Sequence, residues 1–123
     1  LSIGHVGNYV IEIAPDLLKE GIDISHYDLR FAKPLDEALL HDVFKKHDKV
    51  ITLENGCIQG GVGSAVLEFM SDNAYNAEVK RLGIPDRFIE HGKPAELHNE
   101  CGFDKDGIIR TVKSMVFEEV LLR

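Results

Sequence analysis

The chain has 123 residues, 44% of them apolar and 28% charged, with 14 Lys and Arg against 21 Asp and Glu for a formal charge of -7. That length suits a single domain, residues 1–123, with one buried core, and the composition is that of an ordinary globular protein. The acidic balance argues against nucleic acid as a partner, and with no apolar run near the roughly 18 residues of a membrane span, a membrane is not expected either.

In chain order, Leu1 to Gly4 is a short apolar run that predicts a buried strand and not a leader peptide, in a piece of a longer protein. Val10, Ile13, Ala14, Leu17 and Leu18 then recur at helical spacing up to Gly21, with Pro15 predicting a kink or break near Ile11 to Ala14. Ile22 to Leu29 reads as a second strand, followed by a helix carrying Leu35, Leu39, Val43 and Phe44 on one face and Asp36 as its cap. Lys49 to Leu53 is a third strand, and Val62, Ala65, Val66, Phe69 and Met70 mark the helix beyond it. Val79 to Ile84 is a fourth strand, Pro94 and Gly102 bracket a short helix, and Ile108, Val112, Met115, Val116 and Val120 mark a long last one. This alternation predicts an α/β fold of three layers, α/β/α, around a mostly parallel sheet.

Between the third strand and its helix lie Gly60, Gly61, Gly63 and Ser64. A dinucleotide fingerprint would need a small residue where Val66 stands and an acid where Arg81, Leu82 and Gly83 stand. A P-loop would need Lys and Ser or Thr where Val62 and Gly63 stand. What survives is a strand-to-helix turn, with an anion or partner loop as the alternative, because free amides at a helix start attract negative charge. Cys57 and Cys101 form no CxxC pair and predict buried thiols in a reducing, cytoplasmic compartment. The histidines at positions 5, 26, 41, 47, 91 and 98 show no HxxxH or HExxH spacing, so no metal site is expected.

Three elements read together are more specific: Asp28-Leu-Arg-Phe-Ala-Lys-Pro-Leu-Asp36, Gly60-Gly-Val-Gly-Ser64 and Gly83-Ile-Pro-Asp-Arg-Phe-Ile-Glu-His-Gly92. In this order they resemble the C-terminal domain of the 1-deoxy-D-xylulose-5-phosphate synthase family, thiamine-diphosphate enzymes of the transketolase superfamily. The resemblance extends through Leu97-His-Asn-Glu-Cys-Gly-Phe-Asp104 into the last helix. It implies the transketolase C-terminal fold with strand order 2-1-3-4, in a homodimeric parent that condenses pyruvate with glyceraldehyde 3-phosphate and releases CO2. It also implies that thiamine diphosphate and Mg2+ are held by the parent's N-terminal and middle domains. No catalytic, cofactor or metal residue is then expected in this chain, whose part would be structural and dimer-completing.

The candidate site residues form two groups. Gly60, Gly61, Gly63 and Ser64 would be the anion or partner loop; Arg30, Lys33, Glu54, Phe88 and His91 would be interface residues. Arg30 and Lys33 could pair with Asp36 and Glu37 or meet a substrate phosphate, and Phe88 with Ile89 would anchor in a neighbouring domain. The crevice between Gly4-His-Val-Gly7 and the loop from Glu54 to Gly61 is the expected ligand position. Two rival readings remain: the C-terminal half of a 2-oxoacid dehydrogenase β subunit, and a free-standing anion-binding module.

Overall fold

The computed structural model describes residues 1–30, 34–57, 60–84, 98–99 and 101–122. Its elements are β1 (Ser2–Ile3), α1 (Gly7–Lys19), α2 (Glu37–Lys46), β2 (Lys49–Cys57), α3 (Val62–Asp72), β3 (Glu78–Ile84) and α4 (Lys105–Leu122). The strands form one parallel sheet in the order β1-β2-β3, with Ser2 opposite Leu53 and Lys49 opposite Glu78.

β2 carries the β-branched run Val50, Ile51, Thr52 that suits a strand covered on both faces. Its alternate side chains go to different layers. Ile51 and Leu53 join Val6, Ile13, Leu17, Phe103, Ile108 and Val112 under α1 and α4. Val50 joins Leu40, Val43, Phe44, Val66 and Phe69 under α2 and α3. The sheet therefore has helices on both faces. The second layer includes a ring cluster in which Phe44 and Tyr75 stack at 5.3 Å and the Tyr75 hydroxyl hydrogen-bonds His41 Nδ1 at 2.5 Å.

Two expectations are corrected. Residues Ile22 to Leu29 do not form a full strand: they meet the sheet through one parallel bridge, Asp28 to Ser2. The Ser2 amide donates to the Tyr27 carbonyl at 3.0 Å, and the Leu29 amide to the Ser2 carbonyl at 2.8 Å. The order 2-1-3-4 thus survives as a three-stranded sheet with this extended segment laid against β1. Pro15 does not break α1, which runs unbroken from Gly7 to Lys19. The carbonyl that Pro15 cannot serve belongs to Ile11, a residue 62% exposed, so water replaces the missing donor.

The helix ends follow their sequences. α1 closes with Gly21 N–H on the Leu18 carbonyl and Ile22 N–H on the Leu17 carbonyl, a Schellman ending in which Ile22 and Leu17 also share the core. Asp36 caps α2, its carboxylate accepting from the Leu39 amide at 3.0 Å. Asp104 caps α4 through the Gly107 amide at 2.9 Å. The hydrogen bond from Asn99, ahead of that cap, holds the Asp104 carboxyl below its ordinary value. Of the short helix expected between Pro94 and Gly102, the described residues His98, Asn99 and Cys101 are helical. No helix among the described residues is long and apolar enough to cross a membrane.

Candidate functional site at the carboxyl edge of the sheet

β1 and β2 end side by side, Ile3 opposite Glu54, and each is followed by a turn into a helix. The start of α3 is built from three directions. From β2, the buried carboxylate of Glu54 accepts the Val62 amide at 2.9 Å through Oε2 and the Gly63 amide at 3.1 Å through Oε1. From α3 itself, Ser64 Oγ accepts the Gly60 amide at 3.2 Å. From β3, Arg81 Nη1 donates to the same Ser64 Oγ at 3.1 Å.

Negative charge is favoured at this helix start, as at any, by unpaired amides and the macrodipole. Here the anion comes from the protein. A carboxylate that takes both first-turn amides leaves no open cradle at those two donors. Gly63 is required for a different reason: a Cβ there would stand 2.6 Å from Thr52 Oγ1 and 3.0 Å from the Arg81 stem. The helix starts so close to the sheet that a methyl group has no room.

The other candidates are placed as follows. Gly60 has φ 75, within the left-handed region, and Gly61 is the extended N-cap of α3. Glu54, expected at an interface, is 6% exposed and turned inward. Arg30 is exposed with φ 56, its amide donating to Asp28 Oδ1 at 3.0 Å. Lys33, Phe88 and His91 lie outside the described residues. The first turns at Gly4–Gly7 and at Glu54–Gly61 do adjoin, but a cleft of about 290 Å³ opens at the opposite, amino edge, lined by Leu1, Ile24, Tyr27, Val50 and Val112 among others.

Sequence reasoning missed two features. Arg81 was read only as the absence of a ribose-binding acid, whereas it braces Ser64 from 17 residues away. The Tyr9 hydroxyl and His98 Nδ1 lie 2.7 Å apart, joining α1 to the residues ahead of α4. His98 also packs on Phe103, and burial lowers its pKa from the ordinary 6.5, the distant Asp104 opposing.

Comparison with known proteins fits this geometry. The family model for the transketolase C-terminal domain matches residues 1–108. The chain belongs to that family. It is 62% identical over 115 residues to the 1-deoxy-D-xylulose-5-phosphate synthase of Cytophaga hutchinsonii, covering 94% of this chain and 18% of that protein. It is 52% identical over 113 residues to the enzyme of that name from Parabacteroides distasonis, covering 92% of this chain and 18% of that protein. A solved structure described as a split-gene transketolase, inactive β4 tetramer, superposes with a TM-score of 0.80 at 29% identity, over 92% of this chain and 36% of that one. The chain thus spans about a fifth of the length of the first two relatives, 18% of each.

The cofactor of transketolase-type enzymes, thiamine diphosphate with Mg2+, can be tested against the residues present. Among the described residues no group of three or more His, Cys, Asp or Glu could hold a metal ion. The helix-start amides that would suit a diphosphate already carry Glu54. These residues do not fit the cofactor.

Proposed function

We propose that this chain is the C-terminal domain, a single domain over residues 1–123, of a cytoplasmic 1-deoxy-D-xylulose-5-phosphate synthase. The parent would condense pyruvate with glyceraldehyde 3-phosphate, releasing CO2 and giving 1-deoxyxylulose 5-phosphate for isoprenoid and thiamine precursors. The 62% identity over 94% of the chain supports the parent's identity. The observation that carries the domain's role is Glu54: the anion site at the start of α3 is filled from within, so the glycine turn fixes a helix and holds no phosphate.

The role of this domain is then to complete the assembly. Thiamine diphosphate and Mg2+ belong to the parent's N-terminal and middle domains, the partners of this one in a homodimer. Arg30, on an exposed turn beyond the sheet's carboxyl edge, is the described candidate for contact with them. Gly60, Gly61, Gly63 and Ser64 are the structural frame of that edge.

Two measurements test the reading. Calorimetry of the isolated chain with thiamine diphosphate and Mg2+ is expected to show no binding at micromolar concentrations, and a pyruvate-consumption assay no turnover. In the full-length protein, Arg30→Ala is expected to shift the monomer–dimer equilibrium or stability more than the turnover of the intact dimer. Micromolar cofactor binding by the isolated chain would overturn the assignment.

A further inference from the structure

The cleft at the amino edge has the geometry of a missing strand position. At the level of Ser2, β1 is hydrogen-bonded on both sides, to Tyr27 and Leu29 on one and through Leu1 to Ile51 and Leu53 on the other. The two walls are there held one strand apart, each about 4.8 Å from β1. Past Leu1 the same walls continue as Ile24 to Tyr27 and Lys49 to Ile51, lining the cleft, and no described strand lies between them. A helix, about 10 Å across, is too wide for that gap. An extended chain fits it.

We propose that this cleft seats the residues that precede Leu1 in the full-length polypeptide, which lengthen β1 by running parallel between Ile24–Tyr27 and Lys49–Ile51. That the chain covers only 18% of each relative leaves ample polypeptide to supply them. Continuity with an existing ladder selects this occupant over a second copy or a small molecule. The register fixes the details. With Ser2 opposite Leu53, the residue immediately before Leu1 stands opposite Ile51 and the one before that opposite Val50. Alternation then sends the first toward Val112 under α4 and the second toward Val43 under α2, because Ile51 and Val50 belong to those two layers. Both positions face apolar side chains and should be apolar. The hydrogen-bond pattern at Leu1 and Ser2, moved back by two residues, gives the Tyr27 amide to the carbonyl just before Leu1 and the Ile51 amide to the next one back.

The test uses the full-length protein. Hydrogen exchange of the Ile51 and Tyr27 amides should be slowed at least as much as that of Leu53, whose partner is Leu1. Paired cysteines should cross-link by parity: Val112→Cys with a cysteine immediately before Leu1, and Val43→Cys with one two residues before, each within one polypeptide. The swapped pairs should not. Fast exchange at both amides, cross-links without parity, or cross-links only between polypeptides would overturn the proposal; the exchange measurement needs no substitution and so survives a variant that fails to fold.

Discussion

Removing the carboxylate of Glu54 isolates the interaction on which the glycine turn depends. In Glu54→Ala the Val62 and Gly63 amides lose their acceptors in a site where the carboxylate was 6% exposed. An unsatisfied buried donor costs about 1–3 kcal/mol, and the charge on a helix start adds roughly 0.3–2 kcal/mol. Water entering the vacated volume recovers part of this, so a loss of about 2–4 kcal/mol is expected. Glu54→Gln keeps one acceptor oxygen but turns its amide donors on an amide, and should lose about 1–2 kcal/mol. Urea denaturation followed by circular dichroism reads both, with free phosphate titrated into the alanine variant as a further arm. Phosphate should restore part of the alanine loss and none of the wild-type stability, since only the variant leaves the amides open. If Glu54→Ala stays within 0.5 kcal/mol of the parent, the carboxylate is not what holds α3, and the reasoning fails.

The remaining predictions concern close packing and protonation. Gly107→Ala should destabilise by about 2–4 kcal/mol although helix propensity alone favours alanine, because its Cβ would fall on the Gly102 carbonyl, rigid backbone and not a movable side chain; thermal unfolding gives the sign. Thr52→Val should leave stability unchanged or raise it by about 1 kcal/mol, since the buried Thr52 Oγ1 has no hydrogen-bond partner, while Gly63→Ala, aimed at that same oxygen, should cost about 1–3 kcal/mol in the same denaturation assay. His98 is depressed by burial, and His26 by burial and then by the positive amino group at Leu1. The unfolded chain therefore binds their protons first, and stability should be full above pH 6.5 and fall as the pH drops below it, with His98→Phe flattening that slope in a pH series of unfolding midpoints.

The sequence made the helices and β2 legible because their apolar residues repeat with a clear period, and the caps at Asp36 and Gly21 are local. It misled at Ile22 to Leu29. There the apolar residues alternate as in a strand, yet a strand is defined by its partner, and β1 offers this segment only Ser2. Pro15 misled for a related reason: the residue announces a missing donor, but only the fold shows that the orphaned carbonyl of Ile11 faces water. Arg81 could not be foreseen at all, since its partner is fixed by which strands become neighbours and not by any spacing.

Glu54 is the instructive case, because its position was determinable and its role was not read. The period of a strand puts Val50, Thr52 and Glu54 on one face. Val50 belongs to the layer of α2 and α3, and Thr52 lies under Gly63, so Glu54 must point where α3 begins. A glycine-rich turn after a strand shows only that backbone amides will be gathered there. Whether they await a ligand depends on the last inward-facing residue of the strand before the turn. Where that residue is small or apolar the amides stay open to phosphate; where it is a carboxylate long enough to reach two amides, as here at 2.9 and 3.1 Å, the charge is supplied by the fold and the turn is closed to other anions. The same residue pattern therefore marks a ligand site or a structural joint according to one side chain, and the strand's own alternation says which.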